Sequence, residues 1–312
     1  MRFECFSWWC AWGLSLLLAP LLPGVINRVK AWFAGRRGPS VFQLYRDLWK
    51  LMKKSAVYSR SSSRVLRWSP AGILAALTAA SLLLPLGGVA APSFFRFGGD
   101  LVLFVYWFAL VRVLTVLAAL DTASAFEGMG ASREVQFSAL AELPLFAALG
   151  VLAMFSGSIE LSGVLTVPLS IQGGAAGMVT FLVAAALLMV LLCEACRVPF
   201  DDPNTHLELT MIHEAMILDY SGPDLAMVLY GAALKFWLLG SLLVMTLLPF
   251  RFGAAGDFAV YFGGMILLAV LVGVLESVMS RCRLVKIPQL LIGAFGLALL
   301  ALAVGLMFKG GR

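Results

Sequence analysis

Residues 194–224 read EACRVPFDDPNTHLELTMIHEAMILDYSGPD, and they stand between two long apolar runs, Ala175 to Cys196 and Leu225 to Leu248. Twelve ionisable side chains fall in this stretch: Glu194, Cys196, Arg197, Asp201, Asp202, His206, Glu208, His213, Glu214, Asp219, Tyr220 and Asp224, among them both histidines of the protein. Pro199 fixes its own φ and turns Val198 away from helical geometry, so the helix arriving at Glu194 to Arg197 should end there. Asp201 or Asp202 can accept the first orphan amides of a new helix, and Pro203 suits its first position. The sequence predicts that this helix runs from Pro203 to about Asp219. His206 and His213 would then share a stripe, with Glu214 beside it and Glu208 nearly opposite. Ser221-Gly222-Pro223 ends the element before the next apolar run.

Outward from this stretch the chain is apolar. Of its 312 residues 61% are hydrophobic and 13% charged, with a mean hydropathy of +0.95, which excludes an ordinary soluble domain and predicts a polytopic membrane protein. Eight runs have the roughly 17 to 25 residues that cross a hydrocarbon core. They lie near Phe6 to Leu22, Pro70 to Ala90, Leu101 to Leu120, Ala139 to Phe155, Ala175 to Cys196, Leu225 to Leu248, Tyr261 to Met279 and Gln289 to Phe308. The expected fold is therefore all-α, one integral membrane domain over 1–312 with about eight transmembrane helices. Arg2 before the first run resembles the start of a signal peptide, but apolar residues continue past Leu18-Ala19-Pro20 and no secreted domain follows, so a retained helix is expected. The five cysteines do not organise the fold. Cys193 and Cys196 share a helix face without a second pair to complete a metal motif, which favours core packing.

Charge sets the expected topology. Between the first two spans lie Arg28, Lys30, Arg36, Arg37, Arg46, Lys50, Lys53, Lys54, Arg60, Arg64 and Arg67, opposed by Asp47 alone. With that loop in the cytoplasm, sixteen basic residues fall inside, and both termini fall outside. Within the loop, residues 36–54 form an amphipathic segment whose apolar set, Val41, Leu44, Tyr45, Leu48, Leu51 and Met52, keeps the spacing of one helix face. Such a helix can lie on anionic headgroups or dock a cytoplasmic partner. Residues 197–224 are the second cytoplasmic feature, an acidic loop containing a helix.

Several charges lie within the spans themselves. Arg112 and Lys235 fall deep in the third and sixth, where an unpaired charge costs at least a few kcal/mol, about 2.5 or more. Glu142, Glu194 and Glu276 all fall in the cytoplasmic half, and Glu134 lies on the approach to the fourth span. Carboxylates entering a membrane from one face suit a proton path; alternatively, Arg112 and Lys235 hold them as fixed ion pairs. His213-Glu214 opens like a zinc-protease HExxH, but the fifth position is Ile217, and no third histidine or cysteine lies near. There is no Walker loop, dinucleotide fingerprint or iron–sulfur cysteine cluster, and the basic loop faces the membrane, so nucleic acid is not an expected partner.

RGPSVFQLYRDLWKL in the first loop, REVQFSALAELP before the fourth span and RVPFDDPNTHLELTMIHEAMILDYSGPD after the fifth resemble the membrane subunit shared by respiratory complex I and the group 4 nickel–iron hydrogenases. THLELTM, HE and LDYSGPD place the resemblance in the hydrogenase-4 and formate hydrogenlyase branch. The resemblance implies a non-catalytic anchor without cofactor or metal of its own, in the inner membrane. It would link a cytoplasmic arm to ion translocation. Implied partners are the hydrogenase large and small subunits and iron–sulfur proteins, which would carry the nickel–iron centre and clusters, together with antiporter-like membrane subunits. Arg197, Pro199, Phe200 and Asp201 match the family's RxPFD signature, Glu208 a carboxylate in the acidic run, and Glu142 the glutamate that opens an intramembrane acidic path. Asn204 and His206 stand where the quinone-reducing branch carries carboxylates. The alternative is the membrane subunit of a quinone-reducing, complex I-like dehydrogenase. The expected coupling set is Glu142, Glu194, Glu208, Glu214, Glu276, Asp201, His206, His213, Arg112 and Lys235.

Overall fold

The computed structural model describes residues 2–59, 62–165, 175–201, 211–248 and 254–310. In chain order its helices are α1 (Arg2–Leu18), α2 (Leu21–Phe33), α3 (Gln43–Met52), α4 (Arg64–Leu83), α5 (Asp100–Asp121), α6 (Ala125–Ser156), α7 (Leu161–Leu165), α8 (Ala175–Glu194), α9 (His213–Met216), α10 (Gly222–Leu247), α11 (Ala254–Val278) and α12 (Ile287–Gly310). Among the described residues seven helices are long and apolar enough to cross a membrane, and α1 with α2, bent by 45°, makes an eighth. The protein is a polytopic all-α membrane protein. The side of the bundle that holds residues 34–59, 62–63, 195–201, 211–221 and 279–286 is the basic side.

The first span is a broken helix that extends to Phe33, beyond the expected end near Leu22. Pro20 has no N–H, so it cannot donate to the carbonyl of Leu16 four residues back. Within hydrocarbon that freed group needs another donor. The Tyr230 hydroxyl of α10 supplies it at 2.8 Å, and the Tyr45 hydroxyl of α3 donates to the neighbouring Leu17 carbonyl. The break in one span is thus closed by two tyrosines from other elements. Arg28 and Lys30, read from sequence as loop residues, ride on α2 instead.

α10 is the centre of the bundle and is buried on all sides, packing on α4, α8 and α11, while α12 lies at the edge against α6 and α8. α4 and α5 are joined at the basic side by Asp121, whose carboxylate accepts the amides of Ser63 and Leu66; Ser63 also caps Val65 with its own hydroxyl. The stretch after the third span is not a loop. α6 starts at Ala125 and is 32 residues long, so at about 48 Å it outreaches the hydrocarbon core and stands clear of it at one end. Arg133 and Glu134 are helix residues, and Glu142 sits about midway along α6 rather than near a span end.

The expected helix from Pro203 to Asp219 is not continuous. Residues 202–210, with Asp202, His206 and Glu208, lie outside the described residues; from 211 onward the chain makes one helical turn, α9, and then a turn to Tyr220. Asp201 accepts the amides of Ile212 and His213 at 3.3 and 3.4 Å, so the turn of α9 starts on its carboxylate. The shared stripe for His206 and His213 needs helix through 211 and 212, which the chain lacks. The segment is instead clamped by side chains: Arg133 donates to the Met211 carbonyl at 3.0 Å, and Glu127 accepts the Asp219 amide at 3.2 Å.

The SGPD sequence at 221–224 buttons the first loop to α10. Ser221 accepts the Val57 amide at 2.9 Å and donates to the Val57 carbonyl, and Tyr58 donates to Asp224 at 2.6 Å. Gly222, at φ +55°, comes so near the loop that an added Cβ would lie 2.8 Å from the Ser55 carbonyl oxygen. Gly222→Val should therefore lower stability by about 1 to 3 kcal/mol and release the 55–58 segment. Thermal unfolding of the purified protein and protease cleavage in that segment measure both effects.

Candidate functional site

α5, α6, α8 and α10 bring charge into the middle of the bundle. Arg112 of α5 is the fork: one guanidinium nitrogen pairs with Glu142 of α6 at 2.5 Å and the other with Glu194 of α8 at 2.8 Å. Lys235 of α10 pairs with the second oxygen of Glu194 at 2.6 Å. Glu194, a buried carboxylate, thus takes a cation on each oxygen, which the low dielectric of the site requires. The two intramembrane cations and the two glutamates predicted as a path form one assembly.

Arg112, Glu194 and Lys235 of that assembly line a cavity of about 50 Å3, walled also by Glu134, Cys196 and His213. A water needs about 10 to 15 Å3 measured in this way, so the space suits a short water chain. A second chamber of about 10 Å3 lies beside it, lined by Glu134, Ser138, Phe200 and Asp201. Glu134, Glu194 and Cys196 border both. Two cations can balance two carboxylates, and Glu134 is the third. It has no ion pair or side-chain hydrogen bond among the described residues, and it stands at the junction of the chambers. A group so placed can bind and release a proton without breaking a structural pair.

The second chamber leads to the loop. Asp201 of the RVPFD sequence pairs with Arg281 at 2.6 Å while holding the Ile212 and His213 amides. A separate ionic set occupies the same side of the bundle, where Glu276 of α11 is held by Lys30 of α2 at 2.9 Å and by Arg197 at 3.5 Å. The Arg197 guanidinium also lies over the Phe236 ring, 5.9 Å from its centroid. Glu276 therefore belongs to a clasp between α2, α11 and the loop, and it does not line the two chambers. Glu214 is off the chamber walls as well. His206 and Glu208 fall outside the described residues.

The electrostatics of the loop are set by burial. His213, desolvated and near the Lys235 cation, is held down to about 4 and so stays neutral near pH 7. Burial pushes the Cys196 thiol well above its ordinary value, which keeps it a thiol. Tyr220 is raised by burial and by Asp224, Glu127 and Asp121 around it. Among the described residues no three histidine, cysteine or acidic side chains converge as a metal site.

Glu134 is the residue the sequence understates, marking it only as lying before a span. Its signal is the spacing of eight residues to Glu142 in a stretch without a helix breaker, which puts both acids on one helix. Lys30 and Arg281, the partners of Glu276 and Asp201, carry no such signal, because they come from distant parts of the chain.

A family model described as NADH dehydrogenase matches residues 9–306. Hydrogenase-4 component C of Escherichia coli (strain K12) is 32% identical over 295 residues, which cover 92% of this chain and 91% of that protein. Formate hydrogenlyase subunit 4 of the same strain is 31% identical over 306 residues, covering 91% and 93%. In a solved structure of the membrane-bound sulfane sulfur reductase, an archaeal respiratory membrane complex, one chain superposes with a TM-score of 0.80 at 17% identity, covering 97% of this chain and 99% of its own length; this likeness concerns the fold.

Two outcomes follow from the geometry. Glu194→Gln leaves Arg112 and Lys235 short of countercharge and should cost about 3 to 5 kcal/mol, whereas Glu134→Gln breaks no pair and should change stability far less; melting of the two purified variants side by side separates them. The folded pKa of His213 lies below its unfolded value, so its contribution to stability is full above about pH 6.5, declines as pH falls, and is gone below about 4. Stability measured across that window should fall less steeply with acid in His213→Gln than in the native protein.

Proposed function

The chain belongs to the NADH dehydrogenase family, and on that premise we propose that it is a membrane subunit of a hydrogenase-type complex, a non-catalytic anchor that ties redox chemistry in a cytoplasmic arm to ion translocation. The observation that carries the reading is the pair of adjacent chambers whose walls include the charged side chains of Asp201 in the loop and of Arg112, Glu194 and Lys235 in the bundle, with Glu134 on both. In this reading the basic side faces the cytoplasm, the membrane is the inner one, and both termini lie outside. The partners are hydrogenase large and small subunits, iron–sulfur proteins and antiporter-like membrane subunits. Any nickel–iron centre and clusters belong to those partners.

The coupling step is carried by this chain's own residues. A change of charge in the docked arm acts first on the loop, where Asp201 holds two backbone amides and a guanidinium together. If Asp201 loosens its grip on His213, the wall of the larger chamber moves, and the field at Glu134 changes with it. Glu134 then takes up or gives up a proton, and the Glu194 and Glu142 pairs with Arg112 redistribute the charge toward the partner membrane subunits. The step requires the two redox states of the arm to interact differently with the loop.

Mild-detergent affinity purification from native membranes, with mass spectrometry of the partners and nickel analysis of the same sample, tests the assignment. A nickel-containing large subunit with iron–sulfur and antiporter-like proteins is the expected result. A flavin-containing arm with bound quinone and no nickel would move the chain to the quinone-reducing branch. In the assembled complex, Glu134→Gln should lower proton movement per turnover at least severalfold while subunit composition is unchanged, read by pH-sensitive dye quenching in membrane vesicles; unaltered coupling would remove Glu134 from the path.

A further inference from the structure

α3 has three faces where an ordinary amphipathic helix has two. At roughly 100° per residue, Leu44, Leu48 and Leu51 form the half-buried face that packs on α2 and α10, with Asp47 at its margin bonded to Gln43. Phe42, Trp49 and Met52 form a second, apolar face that no described residue covers, at 63%, 67% and 59% exposure. Arg46, Lys50 and Lys53 form a third, basic face directly beside it, and none of the three pairs with a carboxylate among the described residues. Met52, expected on the packed face, belongs to the exposed one. The Lys53 ammonium stands over the Trp49 ring, 4.7 Å from its centroid, at the border between apolar and basic faces.

The position of α3 in the fold is equally specific. It connects the end of α2 to the start of α4, and those two ends carry exposed aromatic side chains, Trp32 and Phe33 on one and Trp68 on the other. Exposed tryptophans at helix ends mark the headgroup level of a membrane. The Tyr45 hydroxyl, bonded to the Leu17 carbonyl, pins α3 to the broken span at its side. A helix fixed at that level, with an uncovered apolar strip next to three unpaired cations, fits acyl chains on one side and phosphates on the other. A soluble protein partner would have to bury both strips at a depth that the adjoining aromatic side chains assign to lipid.

We propose that α3 is a recognition site for anionic phospholipid, with Phe42, Trp49 and Met52 inserted among acyl chains and Arg46, Lys50 and Lys53 on headgroup phosphate. The inference stands apart from the redox reading and needs only the membrane-spanning fold. It is tested on the full chain reconstituted in phosphatidylcholine vesicles with and without added phosphatidylglycerol, one lipid or the other carrying brominated acyl chains that quench tryptophan. The part of the quenching lost in Trp49→Phe reports on α3. It should be larger with brominated phosphatidylglycerol than with brominated phosphatidylcholine, and that preference should fall by about fivefold for each cation removed in variants of Arg46→Gln, Lys50→Gln and Lys53→Gln. The charge-keeping set Arg46→Lys, Lys50→Arg and Lys53→Arg should retain it, which separates lost charge from a damaged fold. Equal quenching by both lipids, absence of Trp49-dependent quenching, or a preference that survives the glutamine set would each overturn the proposal. So would loss of soluble subunits from the purified complex in the glutamine set with lipid preference intact, because α3 would then be a protein dock.

Discussion

A carboxylate with a cation on each oxygen, buried in the middle of a lipid-embedded bundle, governs this architecture. Glu194 cannot remain charged there without Arg112 and Lys235; Lys235 depends on it in turn, and Arg112 shares its charge between Glu194 and Glu142. The three side chains come from α8, α5 and α10, so the pairing is also a constraint on how those helices approach one another. It needs α10 at the centre, and α10 is the helix buried on all sides. Close packing elsewhere follows from apolar contact that many sequences could supply. This one contact has a single chemical solution, and the polar chambers exist because the groups that make it leave room beside them.

The fold was legible because hydropathy is a one-dimensional property, and a run of apolar residues means the same wherever its neighbours lie. The eight spans could be read that way, and so could the presence of Arg112, Glu142, Glu194 and Lys235 among them. Their pairing could not, since Arg112 and Glu194 are 82 residues apart and only the packed bundle shows which acid meets which base. The loop failed for a different reason. Asp201 does accept amides at a helix start, as its position beside Pro203 suggests, and among the described residues these are the amides of Ile212 and His213, eleven and twelve positions away. Local capping rules assign this chemistry to Asp201 but reveal neither those distant amides nor Arg281, which holds its carboxylate from beyond the seventh span. The break at Pro20 is similar: the proline is visible in sequence, while the hydroxyls of Tyr45 and Tyr230 that make the break tolerable are not.

Two kinds of ionic assembly share the bundle, and their difference bears on which residues can do chemistry. Around Glu276, two cations close on one carboxylate, and the result ties α2, α11 and the loop together. Around Glu194 there are three carboxylates for two cations, so charge balance leaves one acid over. Both were candidates for a proton path when only their positions were known. Stoichiometry within each set distinguishes a clasp from a site that can change its charge, and it singles out Glu134, the acid without an ion pair among the described residues, which borders both chambers.

Under the proposed coupling, the loop between α8 and α10 transmits such a change rather than resisting it. Its described part has one helical turn, its backbone is held by single side chains from α6 and by Asp201, and its Ser221 hydroxyl bonds the backbone of the first loop. A continuous helix would spread any perturbation over many cooperative hydrogen bonds. A segment held by a few separate polar contacts responds at whichever contact is disturbed, and the contact at Asp201 lies on the smaller chamber. The departure from the helix that the sequence predicts is therefore the feature that connects the surface of the protein to its buried charges.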